Sequence, residues 1–89
     1  MYLMICRQAS DPLLPGSELG YHCEICNLDV AVSSQGRKRL DQYPDRVKVL
    51  CNKCGFAAAA IAEERGMLAG TQMHQSAWDT LLRLMAAAT

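Results

Sequence analysis

The chain has 89 residues, of which 51% are hydrophobic and 20% charged, and nine basic side chains balance nine acidic ones. This composition is typical of one folded globular domain and excludes a disordered chain. A domain of this size buries only roughly 60–65% of its unfolded surface, so its core is marginal and we expect a further stabilising device.

The first twenty residues predict a strand followed by an extended loop. The apolar run Met1–Arg7 favours a strand that pairs with the sheet of the following segment. Within it, Cys6 is interpreted as a small buried hydrophobe, because free cysteines are among the most buried residues. The segment Gln8–Gly20 contains two prolines and two glycines, which predicts a loop without regular structure.

The first cysteine pair lies in the segment Tyr21–Cys26, in the order C-E-I-C. Two cysteines three positions apart on a tight turn, Cys23 and Cys26, can point at one ion, so the segment predicts a metal-binding knuckle. His22 stands beside the pair, but we do not expect it to be a ligand, because four cysteines already complete a structural set.

The residues between the two cysteine pairs predict a β-hairpin. Leu28–Ser33 and Arg46–Leu50 alternate apolar and polar residues, with valines that favour strands. Ser33–Gly36 predicts a turn or a helix cap. Arg37–Tyr43 fits a short helix ended by Pro44 and a long hairpin tip equally well.

The second pair, C-N-K-C, consists of Cys51 and Cys54 and opens a predicted helix. Four consecutive alanines within Phe56–Arg65 have the highest helix propensity, and Gly66 suits the position after a helix end. The positive end of the helix dipole at this pair favours the thiolate form of cysteine.

A C-terminal amphipathic helix is predicted after a break at Gly66–Gly70, from Thr71 or Ser76 to Ala88. Its apolar residues fall on one face at helical spacing: Ala77, Trp78, Leu81, Leu82 and Met85. This face either packs on its own domain or docks into a partner's groove, through Trp78, Leu81, Leu82 and Met85.

Together, the two pairs predict a zinc site made of four cysteines. An odd count of five cysteines and two Cys-x-x-Cys pairs argue against a disulfide framework. Four soft thiolates are the ligand set of a closed, structural Zn²⁺ site, and such a site contributes on the order of 10 kcal/mol of apparent binding free energy. The predicted ligands are Cys23, Cys26, Cys51 and Cys54. The predicted fold is therefore a small zinc-stabilised α+β domain, with segments 1–20, 21–70 and 71–89 as N-terminal strand and loop, zinc finger and C-terminal helix.

The cysteine pairs, the strands between them and the helix from Phe56 resemble the treble-clef and zinc-ribbon groups of zinc fingers. The resemblance covers about residues 21–66 and implies one structural Zn²⁺ held by the four cysteines. The wider pattern, with a Val-rich strand and a Tyr-Pro before the second pair, looks like small uncharacterised zinc-ribbon proteins of bacteria and their phages.

Two functions are compatible with the sequence. The first is a protein–protein interaction module, an adaptor, regulator or inhibitor of a larger partner, which the zero net charge and the apolar C-terminal helix favour. The alternative is nucleic-acid binding by the basic segment 36–53, which carries six basic and two acidic side chains. The residues expected to contact nucleic acid or a partner are Arg37, Lys38, Arg39, Tyr43 and Lys48.

We expect neither catalysis nor a small-molecule substrate. Four cysteines close the metal site, whereas a catalytic zinc keeps an open position, and no acid–base pair stands beside a nucleophile. No apolar run approaches the roughly 20 residues of a membrane-spanning helix, and no signal peptide is recognised. We therefore expect a cytoplasmic protein without a membrane segment.

Overall fold

The computed structural model describes residues 1–69 and 72–87, which form six strands and three helices. In chain order these are β1 (Tyr2–Gln8), β2 (Glu18–His22), β3 (Asp29–Val32), α1 (Ser34–Gln42), β4 (Val47–Cys51), α2 (Asn52–Glu64), β5 (Leu68–Ala69), β6 (Gln72–Met73) and α3 (Gln75–Ala87). The predicted α+β class is confirmed.

Strand β1 is the centre of a curled sheet. It pairs in parallel with β4 from Tyr2↔Val47 to Cys6↔Cys51, and antiparallel with β3 at Arg7↔Ala31. Strand β2 then pairs antiparallel with β3. The predicted hairpin of β3 with β4 is therefore wrong, because both strands pair with the apolar N-terminal strand instead of with each other.

The connection between β3 and β4 is a helix rather than a hairpin tip. The Ser33 hydroxyl caps α1 by accepting a hydrogen bond from the Gly36 N–H at 3.1 Å. The helix ends at Gln42, two residues before Pro44, whose ring is incompatible with a continuing helix. This nine-residue helix supplies the crossover that brings β4 alongside β1.

Two short strand regions were not predicted. Strand β2 begins at Glu18, within the segment expected to be loop, and β5 pairs with β6 through Leu68↔Met73 where the sequence suggested only a break. Helix α3 begins at Gln75, close to the later of the two predicted starts. The other start, Thr71, and the predicted end, Ala88, lie outside the described residues.

The core lies between the sheet and helices α2 and α3. Its fully buried side chains come from β3, β4, α2 and α3, namely Val30, Val32, Leu50, Ala58, Ala62 and Leu81. Cys6 is also buried, as predicted. Among the described residues, no helix combines the length and the apolar character needed to cross a bilayer.

Gly55 allows α2 to approach β1 closely. A Cβ atom at this position would lie 2.5 Å from Ile5 Cγ1 and 3.2 Å from Ile5 Cβ. Because isoleucine is β-branched and stiff at χ1, it cannot simply swing its side chain away. The absence of a side chain at Gly55 is therefore a packing requirement.

We expect Gly55→Ala to lower the free energy of unfolding of the metal-loaded protein by about 1–3 kcal/mol, the usual cost of overpacking. Chemical denaturation at a fixed metal concentration measures this change. In the double variant Gly55→Ala/Ile5→Ala the two nearest carbons, Cγ1 and Cγ2 of Ile5, are gone, so Gly55→Ala should cost much less in the Ile5→Ala background. Equal costs of Gly55→Ala in both backgrounds would contradict the close contact.

Candidate metal centre

The structure brings the two predicted cysteine pairs together. The Sγ atoms of Cys23, Cys26, Cys51 and Cys54 all lie within 4.8 Å of one another, and the Sγ atoms of Cys26 and Cys51 are 3.7 Å apart. Metal–sulfur bonds of about 2.3 Å in a tetrahedron imply sulfur–sulfur separations of roughly 3.8 Å. The four thiols are therefore positioned to bind one metal ion.

The first pair is presented by a tight turn after β2. The Cys23 N–H donates to the Leu28 carbonyl at 2.8 Å, and the Asn27 N–H donates to the Cys23 carbonyl at 2.9 Å. Asn27 closes the turn with a φ of 62°, in the left-handed region that asparagine tolerates better than most residues. These backbone bonds fix the direction of both sulfur atoms.

The second pair lies where β4 passes directly into α2. Cys51 is the N-cap of α2, and its Sγ accepts a hydrogen bond from the Cys54 N–H at 3.4 Å. A helix N-terminus presents free N–H groups and positive partial charge, both of which favour thiolate. The helix begins at Asn52 rather than at Phe56, so the pair belongs to its first turn.

Glu24 joins the two halves of the site. Its N–H donates to the Val49 carbonyl at 2.9 Å, and its Oε2 accepts from the Val49 N–H at 2.8 Å. The Arg46 carbonyl accepts a hydrogen bond from the Tyr2 N–H of β1. The backbone groups of successive residues point to opposite edges of a strand, so those of Val49, three positions further on, point away from β1. Glu24 thus pairs with the free edge of β4, two residues before Cys51.

The pKa values of three of the clustered thiols depend on burial and on neighbouring hydrogen-bond donors. Burial raises the pKa of Cys51, and burial also raises that of Cys54 above its usual range. At Cys23 burial acts in the same direction but is outweighed by the backbone N–H groups of Cys26, Cys51 and Ile25, which lower its pKa to about 7. A divalent ion that displaces the remaining protons would neutralise much of the charge of four adjacent thiolates.

Comparisons with known proteins add no relative. A scan against protein-family models, a search of curated proteins and a search of solved structures each return no match to this chain. The cysteine cluster supports a four-cysteine metal site, while no match supports membership of the treble-clef or zinc-ribbon groups.

Two neighbouring residues stay outside the cluster. His22 Nε2 lies 2.9 Å from Asp29 Oδ1, where it pairs across β2 and β3. Cys6 is opposite Cys51 in the β1–β4 register, and burial together with the charge of Cys23 raises its pKa to about 11. A neutral, buried thiol is consistent with a packing role for Cys6.

The basic residues singled out from the sequence are partly engaged within the chain. Arg37 donates to Glu18 Oε1 and to the Gly16 carbonyl, both at 2.8 Å. The Lys48 ammonium lies 3.5 Å from Glu24 and 5.3 Å from the centre of the Trp78 ring. Lys38 is exposed on α1.

Tyr2 was not identified from the sequence as a neighbour of the basic segment 36–53. The Arg39 guanidinium lies 5.2 Å from the centre of the Tyr2 ring, and the ring of Tyr43 is 6.1 Å from the same ring. Both residues belong to the predicted basic segment, but Tyr2 lies far from them in the sequence, and only the pairing of β1 with β4 brings it there.

The apolar face of α3 packs against its own domain. Leu81 is fully buried, and Trp78 and Met85 contact the core cluster. Leu82 is half-buried and lines a cavity beside the cysteines.

We expect serine at any one of the four clustered cysteines to abolish stoichiometric metal binding and cooperative unfolding, because a hydroxyl is a poor replacement for a thiolate. Metal analysis by mass spectrometry and thermal denaturation measure both effects. Cys6→Ala is the matched control and should keep one ion per chain. A folded, metal-loaded Cys51→Ser variant would show that four thiolates are not required.

We expect Glu24→Ala to weaken metal binding about fivefold, because an unpaired Val49 N–H costs roughly 1 kcal/mol and loosens the first knuckle from β4. Glu24→Gln keeps an acceptor oxygen and should bind nearly as tightly as the unchanged protein. Glu63→Ala, an exposed change on α2, is the control. Competition with a chromogenic chelator measures the affinity, and equal values for Glu24→Ala and Glu63→Ala would contradict the role of Glu24.

Proposed function

We propose that the four cysteines hold one structural Zn²⁺ and that the domain so stabilised is a protein–protein interaction module. A set of four thiolates suits zinc and completes its tetrahedral coordination. Without an open position, the ion has no place for a substrate or a reactive water. This supports a structural rather than a catalytic role.

Exposed apolar side chains carry the interaction proposal. The exposed fractions of Leu14, Leu19 and Phe56 are 56%, 60% and 66%. Leu14 also lines a cleft of about 180 Å³ together with Ile5, which is 39% exposed. The shared cleft makes Leu14 and Ile5 neighbours, and exposed apolar side chains that lie together are typical of surfaces that bind other proteins.

The electrostatics of the chain support the same proposal. The net charge is zero, and two of the predicted phosphate contacts, Arg37 and Lys48, have acidic partners within the domain. A basic side chain that already has a carboxylate partner gains less from a phosphate, because the existing pair must first be broken. A partner with an apolar surface requires no such exchange.

Nucleic-acid binding is the second candidate, and one cluster favours it. Arg39, Tyr2 and Tyr43 combine a cation with two aromatic rings beside the exposed Lys38. Aromatic rings next to guanidinium groups are a common platform for single-stranded nucleic acid, on which bases stack. This cluster, rather than the whole segment 36–53, is the part of the chain that suits the alternative.

The two functions are separated by what co-elutes with the protein. We expect size-exclusion chromatography of the protein from a native lysate, with light scattering and absorbance at two ultraviolet wavelengths, to give a fixed-ratio complex with another protein. Leu14→Ser/Phe56→Ser should dissociate that complex and keep the bound metal, because both side chains are exposed. Lys38→Ala/Arg39→Ala is the matched control and should leave the complex intact.

The opposite result would support the second candidate. Nucleic acid that co-elutes, dissociates with added salt and is lost in Lys38→Ala/Arg39→Ala would replace the interaction proposal. Arg37 is left unchanged in this variant because its contacts with Glu18 and Gly16 hold the loop before β2. A metal-loaded monomer that binds neither class would contradict both functions.

A further inference from the structure

The four clustered cysteines differ sharply in exposure. Cys23 and Cys51 are each 1% exposed, Cys54 is half-buried and Cys26 is exposed. A reagent from solvent therefore meets the centre at Cys26, and the two innermost sulfur atoms are shielded by the fold. Because thiolates react as nucleophiles only where a reagent reaches them, this difference in exposure predicts different reaction rates for the four cysteines.

An apolar cavity opens beside the exposed cysteine. It has a volume of about 410 Å³ and lies between the two knuckles and the second half of α3. Cys26 and Cys54 line it together with the apolar residues Ile25, Leu82 and Met85. Cavities of this size and character bind small apolar molecules in many proteins.

We propose that Cys26 is a modification site for apolar α,β-unsaturated aldehydes, whose hydrocarbon chain occupies the cavity beside α3. The wall supplies the two features that such a molecule requires, an apolar surface for its chain and a nucleophile for its electrophilic carbon. The presence of a reactive thiolate depends on the proposed function, in which the metal holds the four cysteines in their thiolate form. The choice of Cys26 among the four depends on its exposure and on the adjacent cavity.

The reaction needs no other partner than water. The Cys26 Sγ forms a bond to the β-carbon of the aldehyde, and the electron pair of the carbon–carbon double bond moves toward the carbonyl oxygen. The resulting enolate takes a proton from water at its α-carbon, which leaves hydroxide and a saturated aldehyde attached through a thioether. No oxidant, reductant or leaving group takes part.

The product weakens the metal site. A thioether sulfur carries no charge and is a poorer ligand for a divalent ion than a thiolate. Alkylation of Cys26 thus removes one of four anionic ligands and weakens the metal-mediated link between the two knuckles. Reaction with an apolar electrophile would therefore cause loss of the metal and local unfolding.

Two conjugated aldehydes with the same reactive group test the proposal, the nine-carbon nonenal and the four-carbon crotonaldehyde. Each is added to the purified full chain, and peptide mapping by mass spectrometry follows every cysteine over time. We expect nonenal to modify Cys26 at least about tenfold faster than Cys23 or Cys51, because the latter two are shielded from the reagent. We also expect nonenal to react faster than crotonaldehyde at Cys26, since only the longer chain fills the cavity.

Two leucine variants of α3 isolate the contribution of the cavity. Leu82→Gln places a polar group in the wall and should remove the preference for nonenal, whereas Leu84→Gln, two positions away and outside the lining, should keep it. Circular dichroism and metal content confirm that both variants are folded. Equal preference in the two variants, first reaction at another cysteine, or simultaneous reaction of all four would overturn the proposal.

Metal content of the same samples separates this inference from the proposed function. A chelator that reports free metal should show release in step with Cys26 modification. A purified chain without any metal would refute the structural zinc, while the order in which cysteines react would still decide the modification site. Selective reaction at Cys26 with the metal fully retained would overturn the predicted weakening of the centre.

Discussion

The structure depends on the meeting of two cysteine pairs that are separated by 24 residues. Strand β4 is the element that satisfies this constraint, because it ends at Cys51 and is held on both edges. On one edge it pairs in parallel with β1, and on the other Val49 exchanges two hydrogen bonds with Glu24 of the first knuckle. The cysteine cluster therefore lies where the sheet passes into α2, and not at the end of a β-hairpin.

This arrangement explains how a small domain uses its N-terminus. β1 contributes the central strand, carries the buried Cys6 opposite Cys51 and packs Ile5 against Gly55 at the start of α2. The chain thereby closes its sheet over residues that are distant in sequence. Because the core is small, the free energy of binding a metal ion between the two knuckles would be a large share of the stability of the domain.

The local patterns were sufficient for the longer elements and for the cysteine cluster, but not for the short strands or for the strand pairing. The spacing of Cys23, Cys26, Cys51 and Cys54 predicted the cluster, and alternation predicted β3 and β4. The pairing of those strands was wrong, since adjacency in sequence favours a hairpin while the outcome depends on burial of a third, distant strand. The two-residue strands β5 and β6 have no periodicity to detect. The same limit applies around the site, because Glu24 occupies a variable position of Cys-x-x-Cys and its partner Val49 lies 25 positions away.

The burial of α3 changes where a partner or reagent can act. Its apolar face was expected to pack on the domain or dock to a partner, and Leu81, Trp78 and Met85 pack against the core. A partner therefore has more accessible apolar surface at Leu14, Leu19 and Phe56 than along this helix. The second half of α3 instead forms one wall of the cavity at Cys26 and Cys54. Because that wall is held by the same core that positions the knuckles, loosening of the metal centre and displacement of α3 should be coupled rather than independent events.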